Sequence, residues 1–148
     1  MHDLGRNEDR LRGTYEFPFE FHHIDSSHPR YVMSYHWHVE CEIMRVLQGT
    51  LTVTLDEKSF TATAGDIIFV HSGILHSGIP EDCVYQCIVF DGNTFLKNNS
   101  VCAGYMQKII HQEILIYHHF TPKYVDICAT VNSLFDALWK KPSGYELS

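Results

Sequence analysis

The sequence predicts an all-β barrel or sandwich that is followed by a pair of α-helices. Short apolar stretches with alternating polar residues occur between residues 31 and 92, and turn-forming residues separate them. Many short strands at such close spacing are typical of barrels and sandwiches. Beyond residue 92 the apolar residues recur at helical spacing. We therefore divide the chain into an arm (1–13), a β domain (14–92) and a helical extension (93–148).

The N-terminal part consists of a polar segment and one predicted strand. Residues 1–13 are polar and have no periodicity, so we expect a flexible arm. Aromatic residues then occupy every second position from Tyr15 to Phe21, which predicts a strand with one aromatic face. Pro18 cannot donate a hydrogen bond to a neighbouring strand, so this strand is expected at a sheet edge.

The following segment alternates between strands and tight connections. The clearest strand is 51–55, where apolar residues alternate with threonines. The segments 48–50 and 56–58 on its two sides predict turns. The complete set of strands predicted in this segment is 31–38, 41–47, 51–55, 59–63, 66–70 and 84–90.

The helical extension contains two amphipathic patterns. The first runs from Tyr105 to Tyr117, and the second follows Thr121 and Pro122, which suit the start of a helix. We expect this pair to pack on the barrel or on a second subunit. The apolar face of 125–139 is the favoured dimer surface.

Composition narrows the class of protein. A chain of 148 residues with 45% hydrophobic and 20% charged residues fits one globular domain. The longest apolar runs, such as 67–70, are far shorter than the roughly 20 residues that span a bilayer. The N-terminus lacks the apolar core of a secretory signal, so we expect a cytoplasmic protein without membrane contact.

The charge argues against direct binding of nucleic acid, and the cysteine content argues against a disulfide framework. The formal net charge of −7 opposes binding to the phosphate backbone of nucleic acid. The five cysteines are an odd number at irregular spacing, so we interpret them as reduced thiols.

Four side chains are candidates for one inward-facing site. His36 and His38 are two residues apart on a predicted strand and therefore point to the same face. Glu42 has the same parity and can return to these imidazoles from the next strand, although Glu40 is a rival ligand. His76 can supply a third imidazole. Three histidines and one glutamate are a plausible ligand set for Zn, Fe, Ni or Mn.

These residues carry a resemblance to a known superfamily. Residues 36–49 match the first cupin motif, His-x-His-x3-Glu-x6-Gly, without a gap. Residues 65–76 are similar to the second motif, Gly-x5-Pro-x-Gly-x2-His, with His71 in place of the proline and Pro80 in place of a later asparagine. The resemblance implies a cupin barrel, that is, a jelly-roll or double-stranded β-helix, with a C-terminal pair of α-helices.

The residues within the motifs also resemble those of one branch of the superfamily, the N-terminal sensor domains of AraC-type transcription regulators. It includes the run from Tyr35 to His38, the run from Val46 to Gly49 and the segment 65–69. This resemblance implies a small-molecule effector, such as a sugar or other polar metabolite, and a homodimer. It also implies a helix-turn-helix DNA-binding domain beyond Ser148, so that this chain contacts DNA only through that missing domain.

Alternatives stay open for the site and for the function. The four residues can hold a divalent metal, or they can form a polar network around water or an organic ligand. His22 is a further ligand-binding candidate because its strand can border the pocket, whereas His23 and the pair at 118–119 are taken as surface residues, and His71 as a rim residue near His76. The favoured function is a non-enzymatic sensor. A metal-dependent cupin enzyme, an oxygenase or isomerase, is the alternative, and a stand-alone binding module is a third.

Overall fold

In the computed structural model, the described residues are 19–37, 40–90 and 118–140. The predicted arm, the first predicted tail helix and His38 lie outside them. The elements are β1 (Phe19–Ile24), β2 (Met33–His36), β3 (Cys41–Leu55), β4 (Lys58–Thr63), β5 (Ile67–Val70), β6 (His76–Phe90), β7 (His119–Phe120) and α1 (Val125–Lys140).

The fold is organised around a ribbon of two long antiparallel strands, β3 and β6. Each has 15 residues, and they pair from Cys41 opposite Phe90 at one end to Leu55 opposite His76 at the other. At the first end β1 and β5 flank the ribbon, and β7 adds to β5; at the second end β2 and β4 flank it. The predicted all-β class with a C-terminal helix is confirmed. Among the described residues the hydrogen-bonded sheet does not close into a full ring.

The ribbon bends at Gly49. The register between β3 and β6 shifts on both sides of Gln48, and Gly49 has φ +73°. These shifts reverse the alternation of side chains along β3. Even-numbered residues such as Val46 belong to the inner apolar cluster before the bulge, and odd-numbered residues such as Leu51 belong to it after the bulge. The sequence predicted a turn at 48–50, which is wrong: the segment is a β-bulge inside one continuous strand.

Two further differences concern the ends of strands. β6 begins at His76, eight residues before the predicted 84–90, because Gly78 and Pro80 interrupt the strand pattern in the sequence. The two-residue strand β7 was not predicted. It pairs with Ile67 and Ile68 of β5, and so short a strand has no readable alternation.

Apolar residues pack on both faces of the ribbon. The inner cluster lies between the two halves of the barrel and comprises Ile24, Met33, Met44, Val46, Leu51, Val53, Leu55, Ala62, Ile68, Val70, Cys83, Tyr85 and Cys87. The outer cluster joins the sheet to α1 and comprises Ile43, Ile67, Phe69, Ile88, Phe90, Phe120, Cys128, Val131, Leu134, Phe135 and Leu138. Most of the apolar face of α1 is thus covered by the chain's own sheet, while Val125 and Trp139 stay exposed. The expectation that this face forms a dimer surface stays a prediction.

One buried arginine fixes α1 against the sheet. The Arg45 side chain donates to Gln86 Oε1 at 2.9 Å, to Asn132 Oδ1 at 3.0 Å and to Asp136 Oδ1 at 3.0 Å. Its guanidinium also lies 4.9 Å from the ring centroid of Phe135. A buried charge is tolerated only when it is paired and hydrogen-bonded. These partners lie on both the sheet and the helix, so they favour one rotation of α1 about its axis.

The described cysteines are free thiols, in agreement with the prediction. Burial raises the pKa of Cys83 to about 11 and raises that of Cys128. The protonated forms therefore dominate at neutral pH, and protonated thiols are poor nucleophiles.

The part of the chain that the structure describes contains no helix with the length and hydropathy of a membrane span.

We expect Gly49→Ala to destabilise the protein far more than Gly73→Ala. Both glycines have positive φ, so both variants carry the cost of an alanine there, roughly 1–3 kcal/mol. A Cβ at Gly49 would lie 2.0 Å from the backbone oxygen of Asp82, whereas a Cβ at Gly73 has nothing within 4 Å. Urea denaturation of the two variants measures the difference, and equal losses would contradict the bulge geometry.

His71 makes the stability depend on pH. Its Nε2 is buried and has no hydrogen-bond partner in the described structure. Burial lowers the pKa of His71 below its ordinary value of 6.5, and the nearby His118 lowers it further. The unfolded chain therefore binds a proton at a higher pH than the folded chain does. The resulting stability is present above pH 6.5 and is lost as the pH falls towards the folded-state pKa.

When the pH falls from about 7.5 to about 5.5, we expect the free energy of unfolding of His71→Gln to decrease less than that of the wild type. Glutamine cannot take up a proton, so this contribution to the pH dependence disappears. His118→Gln removes the second cause only and should have an intermediate effect. Urea midpoints at the two pH values provide the measurement, and parallel curves for wild type and His71→Gln would contradict the assignment.

Candidate metal and ligand site

Two histidines face each other across the strand pair β2–β6. His36 pairs with His76 in the ladder, and their ring centroids are 4.2 Å apart. An irregularity in register lies between Met33 and His36. Met33 and His36 are three positions apart and would point to opposite faces of a regular strand. Because of this bulge, both can turn towards the interior. His76 is fully buried, and His36 is partly exposed.

Glu42 completes the group from β3. Its carboxyl group is buried, and Oε1 lies 3.2 Å from Nε2 of His76. His36, Glu42 and His76 each offer a ligand atom, and these atoms all lie within 4.8 Å of one another. Glu40, the rival ligand, is buried but is not part of this group. The structure thus brings together three of the four predicted ligands, and His38 lies outside the described residues.

Backbone carbonyls fix the orientation of both imidazoles. Nδ1 of His36 donates to the carbonyl of Ser34 at 2.8 Å, and Nδ1 of His76 donates to the carbonyl of Ile74 at 2.8 Å. A carbonyl can only accept, so in each neutral ring Nε2 carries the lone pair. Histidine ligands of metals usually have this arrangement, with the second ring nitrogen bonded to a carbonyl or carboxylate.

The donor set fits a divalent transition metal. A lone pair on Nε2 of His76 faces the carboxylate of Glu42, and this contact is favourable only when a proton or a cation lies between the two groups. Two imidazoles and one carboxylate are common ligands of Zn and Fe, and they leave coordination positions open. The thiol of Cys87 hydrogen-bonds to Glu42, and burial followed by the charge of Glu42 raises the pKa of Cys87 well above its ordinary value. Cys87 therefore acts as a neutral donor that helps to orient the carboxylate.

A cavity of about 280 Å³ lies beside this group. His36 and Glu42 form part of its wall, and β6 contributes Tyr85 and Cys87. His22 of β1 also lines it, as its place on a bordering strand suggested, and is held by Glu20 at 2.7 Å. Whether His22 and the others bind a ligand stays a prediction.

The sequence did not reveal the residues on one side of the cavity. His28 and Arg30, from the loop between β1 and β2, and Ser34 of β2 all line the cavity. No motif includes them, and a turn rich in polar residues gives no sign of facing a pocket. Only the loop's position before the first histidine of the motif connects it to the site.

Three histidines taken as surface residues are partly buried and have structural partners. His23 bonds to Gln86 at 2.8 Å, His118 donates to a backbone carbonyl of β5 at 3.3 Å, and His119 bonds to Asp66 at 2.8 Å. They thus lie at the surface only in part, and none of them joins the group of candidate metal ligands. These contacts fasten β1 and β7 to the rest of the sheet.

His71 is not a rim residue of the cavity. Its ring packs edge-on against Phe69 at 4.8 Å and against His118 at 4.9 Å. It is also absent from the cavity wall. His71 therefore belongs to the packing around β5.

The fold and the site define a β-barrel domain of the cupin type, with an inner cavity next to a group of metal-ligand type. The sequence model of the AraC-like ligand binding domain matches residues 18–146. The chain therefore belongs to this family of ligand-binding domains of transcription regulators, as the resemblance implied.

Among curated proteins the chain is similar to YdeC of Bacillus subtilis (strain 168), an uncharacterized HTH-type transcriptional regulator. The two are 25% identical over 121 residues, which cover 76% of this chain and 40% of YdeC. The chain thus spans less than half the length of this relative.

Solved structures with a similar arrangement cover less than half of the chain. They include oxalate decarboxylase of Bacillus subtilis, a protein with Mn(II) centres, at 26% identity over 41% of this chain and 18% of that one, with a TM-score of 0.37. KdgF from Halomonas sp. is 21% identical over 40% and 57% of the two chains, with a TM-score of 0.38. SPY1581 of Streptococcus pyogenes, of unknown function, is 16% identical over 49% and 62%, with a TM-score of 0.42.

We expect Glu42→Gln to weaken the binding of Zn²⁺ or Mn²⁺ by at least about tenfold, because loss of a supporting contact alone already costs that much at metal sites. The glutamine amide can donate to Nε2 of His76, so the variant should fold. Glu81→Gln, an exposed position on β6, is the matched control. Isothermal titration gives the affinities, and equal affinities for the two variants would show that the metal binds elsewhere.

Proposed function

We propose that the chain is the effector-binding domain of an AraC-type transcription regulator and not an enzyme. A small molecule enters the cavity and contacts the group formed by His36, Glu42 and His76, with His22 on another wall. The observation that carries this proposal is the cavity of about 280 Å³ with polar groups converging on it, in a chain of this family. Such a volume lies near the lower end of the range for small-molecule sites.

A divalent transition metal (Zn, Ni, Fe or Mn) is part of the proposal. His36, Glu42 and His76 would hold it, and His38 stays a predicted fourth ligand. The metal would supply a Lewis acid to which an oxygen of the effector can bind. The chain's own groups orient the two imidazoles and the carboxylate, as their contacts with Ser34, Ile74 and Cys87 indicate.

Contacts across β1 support transmission from the cavity to α1. His22 faces the cavity, while the next residue, His23, bonds to Gln86 and lies 4.5 Å from the ring of Trp139 on α1. Gln86 in turn accepts from Arg45. Ligand binding that shifts β1 would therefore change the position of α1 on the sheet. This change would in turn bias the position of the DNA-binding part of the regulator.

Other parts of the proposal concern partners and location. The net charge of −7 favours DNA contact through a helix-turn-helix part of the regulator and not through this domain. A homodimer and a cytoplasmic location stay predictions.

The alternative function is a metal-dependent cupin enzyme, an oxygenase or isomerase. The two imidazoles and one carboxylate favour it, because such a set leaves positions for a substrate. His22 on the described cavity wall is held by Glu20 at 2.7 Å, and such a histidine–carboxylate pair has the hydrogen-bonding pattern of a general base, so it would serve this alternative. An effector that is recovered chemically unchanged after incubation with metal-loaded protein distinguishes the sensor from the enzyme.

We expect a metabolite library to contain compounds that raise the melting temperature of the wild type. A ligand at a hundredfold excess over its Kd stabilises a protein by about 2.7 kcal/mol. Ser34→Trp places an indole at the cavity wall and should abolish these shifts. Thr61→Trp, also at an exposed strand position, is the control and should retain them.

Two outcomes contradict the proposal. If no compound shifts the wild type, with or without Zn²⁺ or Mn²⁺, the sensor function fails. If a compound that binds is converted to a product by the metal-loaded protein, the enzyme replaces the sensor.

A further inference from the structure

The loop between β1 and β2 brings a positive charge to the cavity. Arg30 lines the cavity and is exposed, and within the described structure no acidic side chain pairs with its guanidinium. The carboxylates nearest the cavity already have partners: Glu42 contacts His76, and Glu20 contacts His22. In a chain of net charge −7, the guanidinium of Arg30 thus lies at the cavity without a counter-charge from residues 19–37, 40–90 and 118–140.

The same loop is held rigidly in place. The hydroxyl of Tyr85 donates to the carbonyl of Tyr31 at 2.9 Å, and the hydroxyl of Tyr31 accepts from the backbone N–H of Cys83 at 3.1 Å. Burial raises the pKa of Tyr85, so its hydroxyl keeps its proton and remains a donor. At the start of the loop, Ser27 donates twice to the carboxylate of Asp25, which lowers the pKa of Asp25. A binding group on such a loop is preorganised and needs little ordering when a ligand arrives.

A second donor lies beside Arg30. The backbone N–H of Arg30 donates to Nδ1 of His28 at 3.0 Å. Nδ1 is therefore the acceptor, and the ring proton of neutral His28 is on Nε2. His28 also lines the cavity. A guanidinium and an imidazole N–H on one preorganised loop are complementary to an anion with two acceptor oxygens.

We propose, resting on the function above, that the effector is a small organic acid whose carboxylate binds Arg30 and His28. Arginine and carboxylate match in planar geometry and can form two parallel hydrogen bonds. Phosphate sites characteristically use helix N-termini or glycine-rich loops, and neither occurs among the described residues that line this cavity. The volume of about 280 Å³ restricts the acid to a compact molecule. The rest of the acid extends towards His36 and Glu42.

The test compares matched acids and amides. Succinate, 2-oxoglutarate, citrate and benzoate are titrated into the wild type, beside succinamide, benzamide, inorganic phosphate and glucose. The same titrations are made with Arg30→Gln and with Lys58→Gln, which removes a cation from β4 without touching the cavity. We expect at least one carboxylate to bind, its amide to bind at least about tenfold more weakly, and Arg30→Gln to lose about tenfold or more in affinity. Lys58→Gln should match the wild type.

Each other outcome overturns the inference. Binding of succinamide, benzamide or glucose as tight as that of the acids, with loss in Ser34→Trp, leaves the sensor function intact and excludes the acid. Phosphate binding tighter than every carboxylate assigns the loop to phosphate. Equal affinity of a carboxylate for wild type and Arg30→Gln removes Arg30 from the site. If no acid binds while the metabolite library yields other ligands, the organic acid is wrong; if the library also fails, the sensor function is wrong as well.

Discussion

The β3–β6 ribbon must fold back on itself, and the site exists because it does. Glu42 lies near one end of β3, and His76 pairs with Leu55 at the other end. Thirteen residues of flat strand would separate these ends by roughly 40 Å. Their side-chain atoms are instead 3.2 Å apart. The bend at Gly49 therefore turns a local sequence pattern into a contact between distant parts of the chain, and the inner apolar cluster fills the space between the two halves.

The alternation of side chains lets the same strands build two different environments. On β3, Glu42 points to the cavity, while Ile43 and Arg45 point to α1. Both faces contain a buried charge, and each is neutralised differently. Arg45 has three hydrogen-bond acceptors from the sheet and the helix, so its cost of burial is met within the fold. Glu42 lies 3.2 Å from Nε2 of His76 and beside the thiol of Cys87, on the side where we propose that a metal binds.

Much of the fold and three members of the site were readable from the sequence, for local reasons. Alternation identified the strands around 51–55 and 59–63, and the motif spacing identified His36, Glu42 and His76. The bulge at Gly49 was misread because a glycine between two apolar runs signals a turn and a bulge equally well.

Long-range contacts account for the remaining differences. His28 and Arg30 reach the cavity through a loop conformation that depends on Tyr85, a residue more than fifty positions away. The apolar face of α1 has a helical period whether it covers its own sheet or a second subunit, so periodicity could not choose between them.

The outer apolar face has a consequence for the division of the chain. Residues 14–92 form a continuous stretch of sequence with all the motif residues, but part of their apolar surface packs on α1, outside that stretch. A fragment that ends at residue 92 would leave Ile43, Phe69 and Ile88 of the outer cluster without their cover. Exposed apolar patches of this kind promote aggregation. We therefore expect a stable fragment of this barrel to include α1, and insolubility of a shorter fragment would reflect its uncovered sheet and not a defect in the cavity.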